Sequence, residues 1–238
     1  MLCSRWLKPQ HGEKHGRIYR LFEGMFEAMQ SLYGRTLGFC LTHRRWVAGG
    51  FAAVLALTLR GTPVLYMGEE IGMIDTNLAG IPELDRAGRD GARTPMHWTD
   101  EPGVGFTTGR PWLPAGDAES ANVRDQSADP GSLLNLYRRL VRLRASSSAL
   151  SLGSYRAIDV PAGAGVFAFL RESGDERYVV AIRVGDGNSP VDLVTPARGR
   201  IERAGVVALS SADRSAEGAQ ADLRALELGP NEAAILRL

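Results

Sequence analysis

Apolar residues recur at helical spacing in three parts of the chain. Between residues 18 and 33, Ile18, Leu21, Phe22, Met25, Phe26, Met29, Leu32 and Tyr33 form one stripe, and Gly34 follows as a stop. That spacing predicts an amphipathic helix. Val47 to Leu59 is apolar on most faces and predicts a buried helix. Leu133, Leu136, Tyr137, Leu140 and Leu143 predict a third helix, with Asp129 as N-cap and Pro130 at the first helical position. Arg138, Arg139 and Arg142 then fall on its solvent side, and Arg144 suits its negative C-terminal end.

The pattern between these stripes is different. Thr62–Tyr66 is a short apolar run punctuated by Gly61 and Pro63, which predicts a strand buried on both faces. A buried helix leading into such a strand is an αβ unit of a parallel sheet. Residues 74–131 are rich in Gly, Pro, Asp and Asn and lack apolar periodicity, yet they hold Trp98, Phe106 and Trp112. Loops of that length in compact domains usually carry function. From about residue 151, "SYRAIDV", "GVFAFLR", "RYVVAIRV", "SPVDLV" and "NEAAILRL" are short β-leaning segments between turn residues. They predict an antiparallel β-sandwich, with a domain boundary near residue 148.

Composition narrows the function. The 238 residues carry a net charge of +1, which points to neither a nucleic-acid nor an anionic-membrane partner. The longest apolar run, residues 46–59, is too short to span a bilayer, and the opening residues lack a signal-type apolar core. The expected location is the cytoplasm. Cys3 and Cys40 suggest neither a disulfide framework nor a metal site. His11, His15, His43 and His97 lack zinc-type spacing, so no metal or cofactor is expected.

Candidate chemistry concentrates in "GRDGARTPMHW", residues 88–98. Arg89 and Arg93 offer rigid forks of donors that suit a loop gripping something polar, beside the aromatic surface of Trp98. The competing reading is that Asp90 and Arg93 brace the loop and the tryptophans pack it. The "GEE" pair, Glu69 and Glu70, is a poor pair of cooperating acids, because neighbours in an extended chain point to opposite sides. Bracing the loop, or pairing with arginines, is the expected role.

"LTLRGTPVLYMGEEIGM", "GRDGARTPMHW", "GFTTGRPWLP" and "SLLNLYRRLVRLR" together resemble the α-amylase superfamily, glycoside hydrolase family 13, in its α-glucosidase, oligo-1,6-glucosidase and trehalose-synthase-like branch. The resemblance runs from about residue 47 to the C-terminus. It implies an unmatched segment at 1–45, the end of a (β/α)8 barrel with its active-site-face loop and final helix at 46–148, and a C-terminal β-sandwich at 149–238. It also implies that Arg89 reaches the sugar pocket and pairs with a carboxylate from an early barrel loop, and that Arg93 lies nearer the leaving-group side. The implied ligand is an α-glucoside or maltooligosaccharide.

The family's two catalytic carboxylates and its "N-H-D" motif have no counterpart here; "GFCLTHRRWVAGG" stands where the last should fall. A chain with so few barrel strands cannot close on itself. The expected reading is the C-terminal part of an α-glucosidase-like protein, inactive alone, with residues 60–128 loosely held. The alternatives are a non-catalytic module that binds glucan or a partner, and half of a split enzyme completed by an upstream barrel fragment.

Overall fold

The computed structural model describes residues 49–82, 85–194, 201–212 and 214–238. The stripe at 18–33, both cysteines and three of the four histidines lie outside these residues.

Helix α1 occupies residues 49–58. Ala53, Val54 and Leu57, at i, i+1 and i+4, are its buried face. The following run Thr62–Tyr66 is not a strand: it is unpaired, and Val64 is 86% exposed. Periodicity marked it as apolar, but a strand forms only where a neighbour supplies its hydrogen bonds. Among the described residues none does so here. Gly68 and Gly72, both at positive φ, flank a short 3-10 turn at Glu69–Ile71 that packs Ile71 inward.

The long loop then runs to α2, Val123–Ala128, capped by the Asn122 side chain. Helix α3 spans Leu133–Ala145 and buries Leu133, Leu136, Tyr137 and Leu140. Its cap is Ser132, whose hydroxyl accepts the Asn135 amide at 3.2 Å. Asp129 was the expected cap, but its amide closes the end of α2 on Asp125 and its carboxylate holds the Gly131 amide at 2.8 Å. Helix α4, Ser148–Ser151, leads into the sheet.

Six strands form one antiparallel sheet: β1 Ser154–Ile158, β2 Val166–Ser173, β3 Glu176–Arg183, β4 Ala204–Ser210, β5 Gln220–Asp222 and β6 Ala233–Arg237. Their order is β1-β2-β3-β6-β4-β5. Alternation divides each strand between two cores. Phe169, Tyr178, Val180, Ile182, Ala233 and Ile235 face α1, α3 and α4. Ala168, Leu170, Val179, Ala181, Ala234 and Leu236 face Val191, Leu193, Ile201, Leu223, Leu226 and Leu228.

Among the described residues the second layer is not the second sheet of a sandwich. It is a set of connecting segments joined by the bridge Val191↔Leu226 and by the Leu193 amide, which donates to Leu223 O at 2.8 Å. "SPVDLV" supplies Val191 to that bridge but forms no strand, since the Asp192 carboxylate takes the Val194 amide at 2.8 Å. The strand read there lies instead at "AGVVALS", which is β4.

Two buried arginines join the helices to the sheet. Arg144 of α3 donates to the carbonyls of Leu57 at 2.8 Å, Leu59 at 3.3 Å and Gly61 at 2.5 Å. Arg171 of β2, fully buried, donates to Thr58 O, to Ser154 O at 3.0 Å and to Gly153 O at 3.1 Å. These carbonyls include the unsatisfied C-terminal end of α1, where a cation is favoured. Arg144 thus serves the end of α1 rather than that of its own helix. Burial lowers the pKa of both guanidinium groups, and for Arg171 the nearby Arg144 and Arg60 add to the effect.

Arg171→Met leaves three carbonyls without a donor. At about 1–3 kcal/mol per unmet buried group, the expected loss is about 3 kcal/mol in urea unfolding, against within about 0.5 for Arg142→Met on the exposed face of α3. Equal effects of the two substitutions would show that the buried arginine does not secure the helix.

Candidate functional site

The loop between α1 and α2 is fastened to itself and to its surroundings. The Thr76 amide donates to Gly91 O at 3.0 Å, and the Val123 and Arg124 amides donate to His97 O and Trp98 O at 3.0 Å each. His97 is buried, with Nδ1 3.0 Å from Ala121 O, and Gly116 lies so close that a Cβ there would meet Thr76 Oγ1 at 2.6 Å. Gln126 donates to Ile71 O at 2.8 Å and accepts from the Leu134 amide at 3.1 Å, joining the 3-10 turn to α3. Arg124 bonds to Asp100, Asp125 and, at 3.0 Å, Glu101. A loop expected to be loosely held therefore has backbone bonds along much of its length.

Its centre is Asp85. Arg89 Nε meets Asp85 Oδ2 at 2.6 Å, and Arg89 Nη2 donates to Asp85 Oδ1 at 3.2 Å. Arg93 Nη1 meets the same Oδ2 at 2.8 Å. The two sequence candidates therefore converge on one carboxylate. The resemblance implied that Arg89's partner comes from an early barrel loop; here it comes from four residues upstream in the same loop, a spacing at which Asp and Arg readily meet. Asp85 was missed in the sequence, although this i, i+4 relation was the available signal.

Asp90 is buried and accepts the Asp85 amide at 3.0 Å, so Asp90 and Arg93 do brace the loop. Arg89 remains largely open to solvent, and its side chain is 59% exposed. The hydrogen bond from Arg89, aided by the Ala87 amide and by the charges of both arginines, holds the Asp85 carboxyl at about 2, against an ordinary 3.8. The same bond raises the Arg89 pKa.

Trp98, Phe106 and Trp112 present their rings to solvent from this loop. Trp98's backbone is pinned by bonds to Val104 O and from the Arg124 amide, so its exposed ring rides on a fixed support. Glu69 and Glu70 spend carboxylate oxygens on the backbone of their own turn, at Tyr66 N (3.2 Å) and Gly68 N (2.9 Å). Both carboxylates thereby brace the turn. Beneath them, burial, with both glutamates nearby, pushes the Tyr137 phenol up to about 12.

Among the described residues no group of three or more His, Cys, Asp or Glu side chains is placed to hold a metal ion. Among the same residues, no helix is long and apolar enough to cross a membrane.

A loop gripped by paired arginines and edged with exposed aromatics thus stands between helix α1 and the helices that lead into the antiparallel sheet. The chain belongs to the α-amylase catalytic-domain family, which matches residues 33–153. That match opens inside the segment read from the sequence as unmatched, so the family region begins earlier than residue 47.

Among its relatives, a glucan 1,6-alpha-glucosidase of Streptococcus pneumoniae is 34% identical over 178 residues, 63% of this chain and 32% of that protein. An oligo-1,6-glucosidase of Heyndrickxia coagulans is 31% identical, covering 63% and 32%. The solved trehalulose synthase from Pseudomonas mesoacidophila MX-45 superposes with a TM-score of 0.65 at 28% identity, over 81% of this chain and 38% of that one. A variant of that synthase was solved in complex with the substrate sucrose. The chain spans about a third of the length of the curated relatives it matches.

Asp85 provides a test of the loop's electrostatics. A carboxyl whose folded pKa lies below its ordinary value adds stability that is complete above about pH 4 and is lost as pH falls through about 2. In 13C carboxyl NMR the Asp85 resonance is expected to titrate near 2. Arg89→Ala is expected to raise that midpoint towards 3.8. A midpoint unchanged by Arg89→Ala would mean that the ion pair does not hold the carboxylate.

Proposed function

We propose that this chain is the C-terminal part of an α-glucosidase-like enzyme of the α-amylase family, supplying the sugar-side loop and the β-domain but not the reacting carboxylates. On this reading residues 46–148 are the end of the barrel, and residues 149–238 are the β-domain. Retaining cleavage of a glycosidic bond needs a nucleophile and an acid/base about 5 Å apart. The glutamate pair nearest to that requirement is committed to its own backbone. The isolated chain is accordingly inactive.

The observation that carries the reading is the convergence of Arg89 and Arg93 on Asp85. The carboxylate orients both guanidinium groups while leaving the Arg89 side chain mostly open. An oriented fork with spare donors suits vicinal sugar hydroxyls. Arg89 is the sugar-facing residue and Arg93 its neighbour towards the leaving group, with Trp98 as an aromatic face for the ring. The ligand is an α-glucoside or a short maltooligosaccharide. The split-enzyme alternative gains support from the exposed, unpaired run at Val64, which is what a strand without its sheet neighbours presents.

A chimera tests this. Residues 47–238 replace the corresponding third of an oligo-1,6-glucosidase, and the product is expected to hydrolyse p-nitrophenyl α-glucoside, while the 238-residue chain alone does not. Arg89→Ala in the chimera should lower kcat/KM by about 100-fold, the loss of one charge-assisted contact. A folded chimera with no turnover, or one indifferent to Arg89→Ala, would remove the sugar-side role.

A further inference from the structure

Trp98 stands on a backbone that is bonded at both its amide and its carbonyl. The Trp98 and Thr99 amides donate to Val104 O at 2.9 and 3.1 Å, and Trp98 O accepts the Arg124 amide at 3.0 Å. The acceptor sits in a turn of uncommon shape. Gly103, Val104 and Gly105 have φ of 79°, 50° and 67°, left-handed at each step. Glycine adopts such angles freely, but a β-branched residue does not. Val104 is nonetheless buried there. Strain of this kind persists only where the surroundings over-determine it, and it clusters at sites that need a set geometry. The flanking glycines are equally constrained. A Cβ at Gly103 would lie 2.0 Å from Thr107 O, and one at Gly105 would lie 2.9 Å from Trp98 Cβ. The turn is pressed against the base of the tryptophan.

The preceding residue closes the other side. His97 is buried, its carbonyl accepts the Val123 amide at 3.0 Å, and its Nδ1 lies 3.0 Å from Ala121 O. A carbonyl only accepts, so Nδ1 carries the proton and the neutral ring is the Nδ1–H tautomer. Nε2 is shut off from solvent and has no hydrogen-bond partner among the described residues. An apolar ring would avoid that loss, so packing does not explain a histidine here. Its single bond to Ala121 does. Because Nε2 is already enclosed, barrel residues supplied from elsewhere would not reach it.

We propose that His97 and the left-handed turn at Val104 are positioning residues that fix the ring of Trp98 in one orientation, as a preformed face for the pyranose ring of an α-glucoside. A ring that must first be ordered spends part of the stacking energy on lost freedom, and a preset ring does not. The sugar-facing purpose rests on the reading under Proposed function. The positioning rests only on the backbone bonds, the turn and the imidazole.

The full chain labelled with 5-fluorotryptophan tests this by 19F NMR, with the Trp98 line assigned through Trp98→Phe. The expected result is one narrow Trp98 line, and a long-range 1H–15N spectrum with the His97 proton on Nδ1. His97→Phe keeps the bulk of the ring and removes the donor; it is expected to broaden the Trp98 line by about twofold or split it. His97→Asn places an amide nitrogen near the position of Nδ1 and is expected to restore the narrow line. Gly105→Ala leaves the imidazole bond in place and drives a methyl group at Trp98 Cβ, so it is expected to move the line by a second route. In titrations with maltotriose, His97→Phe is expected to bind about tenfold more weakly than the parent chain, and His97→Asn about equally.

A Trp98 line left narrow and unmoved by both His97→Phe and Gly105→Ala would overturn the proposal, as would a His97 proton on Nε2 or a failure of His97→Asn to restore the line. Broadening by His97→Phe with no response of the parent chain to maltotriose would uphold the positioning and remove the sugar-facing reading of the loop.

Discussion

Two guanidinium groups inserted at one helix end hold this molecule together. Helix α1 ends with carbonyls that no residue of the helix itself can satisfy. Arg144 reaches them from α3 and Arg171 from β2, so one set of acceptors ties the family-matched helices to the sheet. Neither arginine has a carboxylate partner among the described residues. The carbonyl dipoles bear the charge instead, an arrangement in which removing a donor costs more than the donor's net contribution when present. Leu57, Tyr137, Phe169 and Ile235 belong to one apolar core that spans the same junction.

The loop follows from that junction. Because α1 and α3 are fixed, the segment between them starts and ends at set positions, and Gln126 ties its 3-10 turn to the start of α3. Within those bounds Asp85 collects both arginines, and the buried Asp90 holds the Asp85 amide. The site is thus organised by local charge pairing on a rigid frame. Exposed rings at Trp98 and Trp112 remain outside the packing.

Much of this was legible in the residues. The stripes of α1 and α3, four of the six strands and the arginine pair all follow from spacing and side-chain type. The misses share a cause. Asp129 reads as a helix cap because it precedes a proline, yet α2, which the sequence did not announce, claims its amide. "SPVDLV" has a strand's composition, yet Asp192 bonds its own neighbourhood. Thr62–Tyr66 has a buried strand's apolarity but no pairing partner among the described residues.

Sequence alone determined which stretches are apolar, which bear charge, and which turns glycine and proline demand, because these depend on neighbours within a few positions. Only tertiary structure decided that Arg144 serves another helix, that Arg171 is buried against backbone carbonyls, and that Asp85 receives both Arg89 and Arg93. Hydrogen-bond satisfaction is settled by groups brought together from distant positions. A strand likewise becomes a strand only when a second backbone stands about 4.8 Å away, and composition cannot say whether one will.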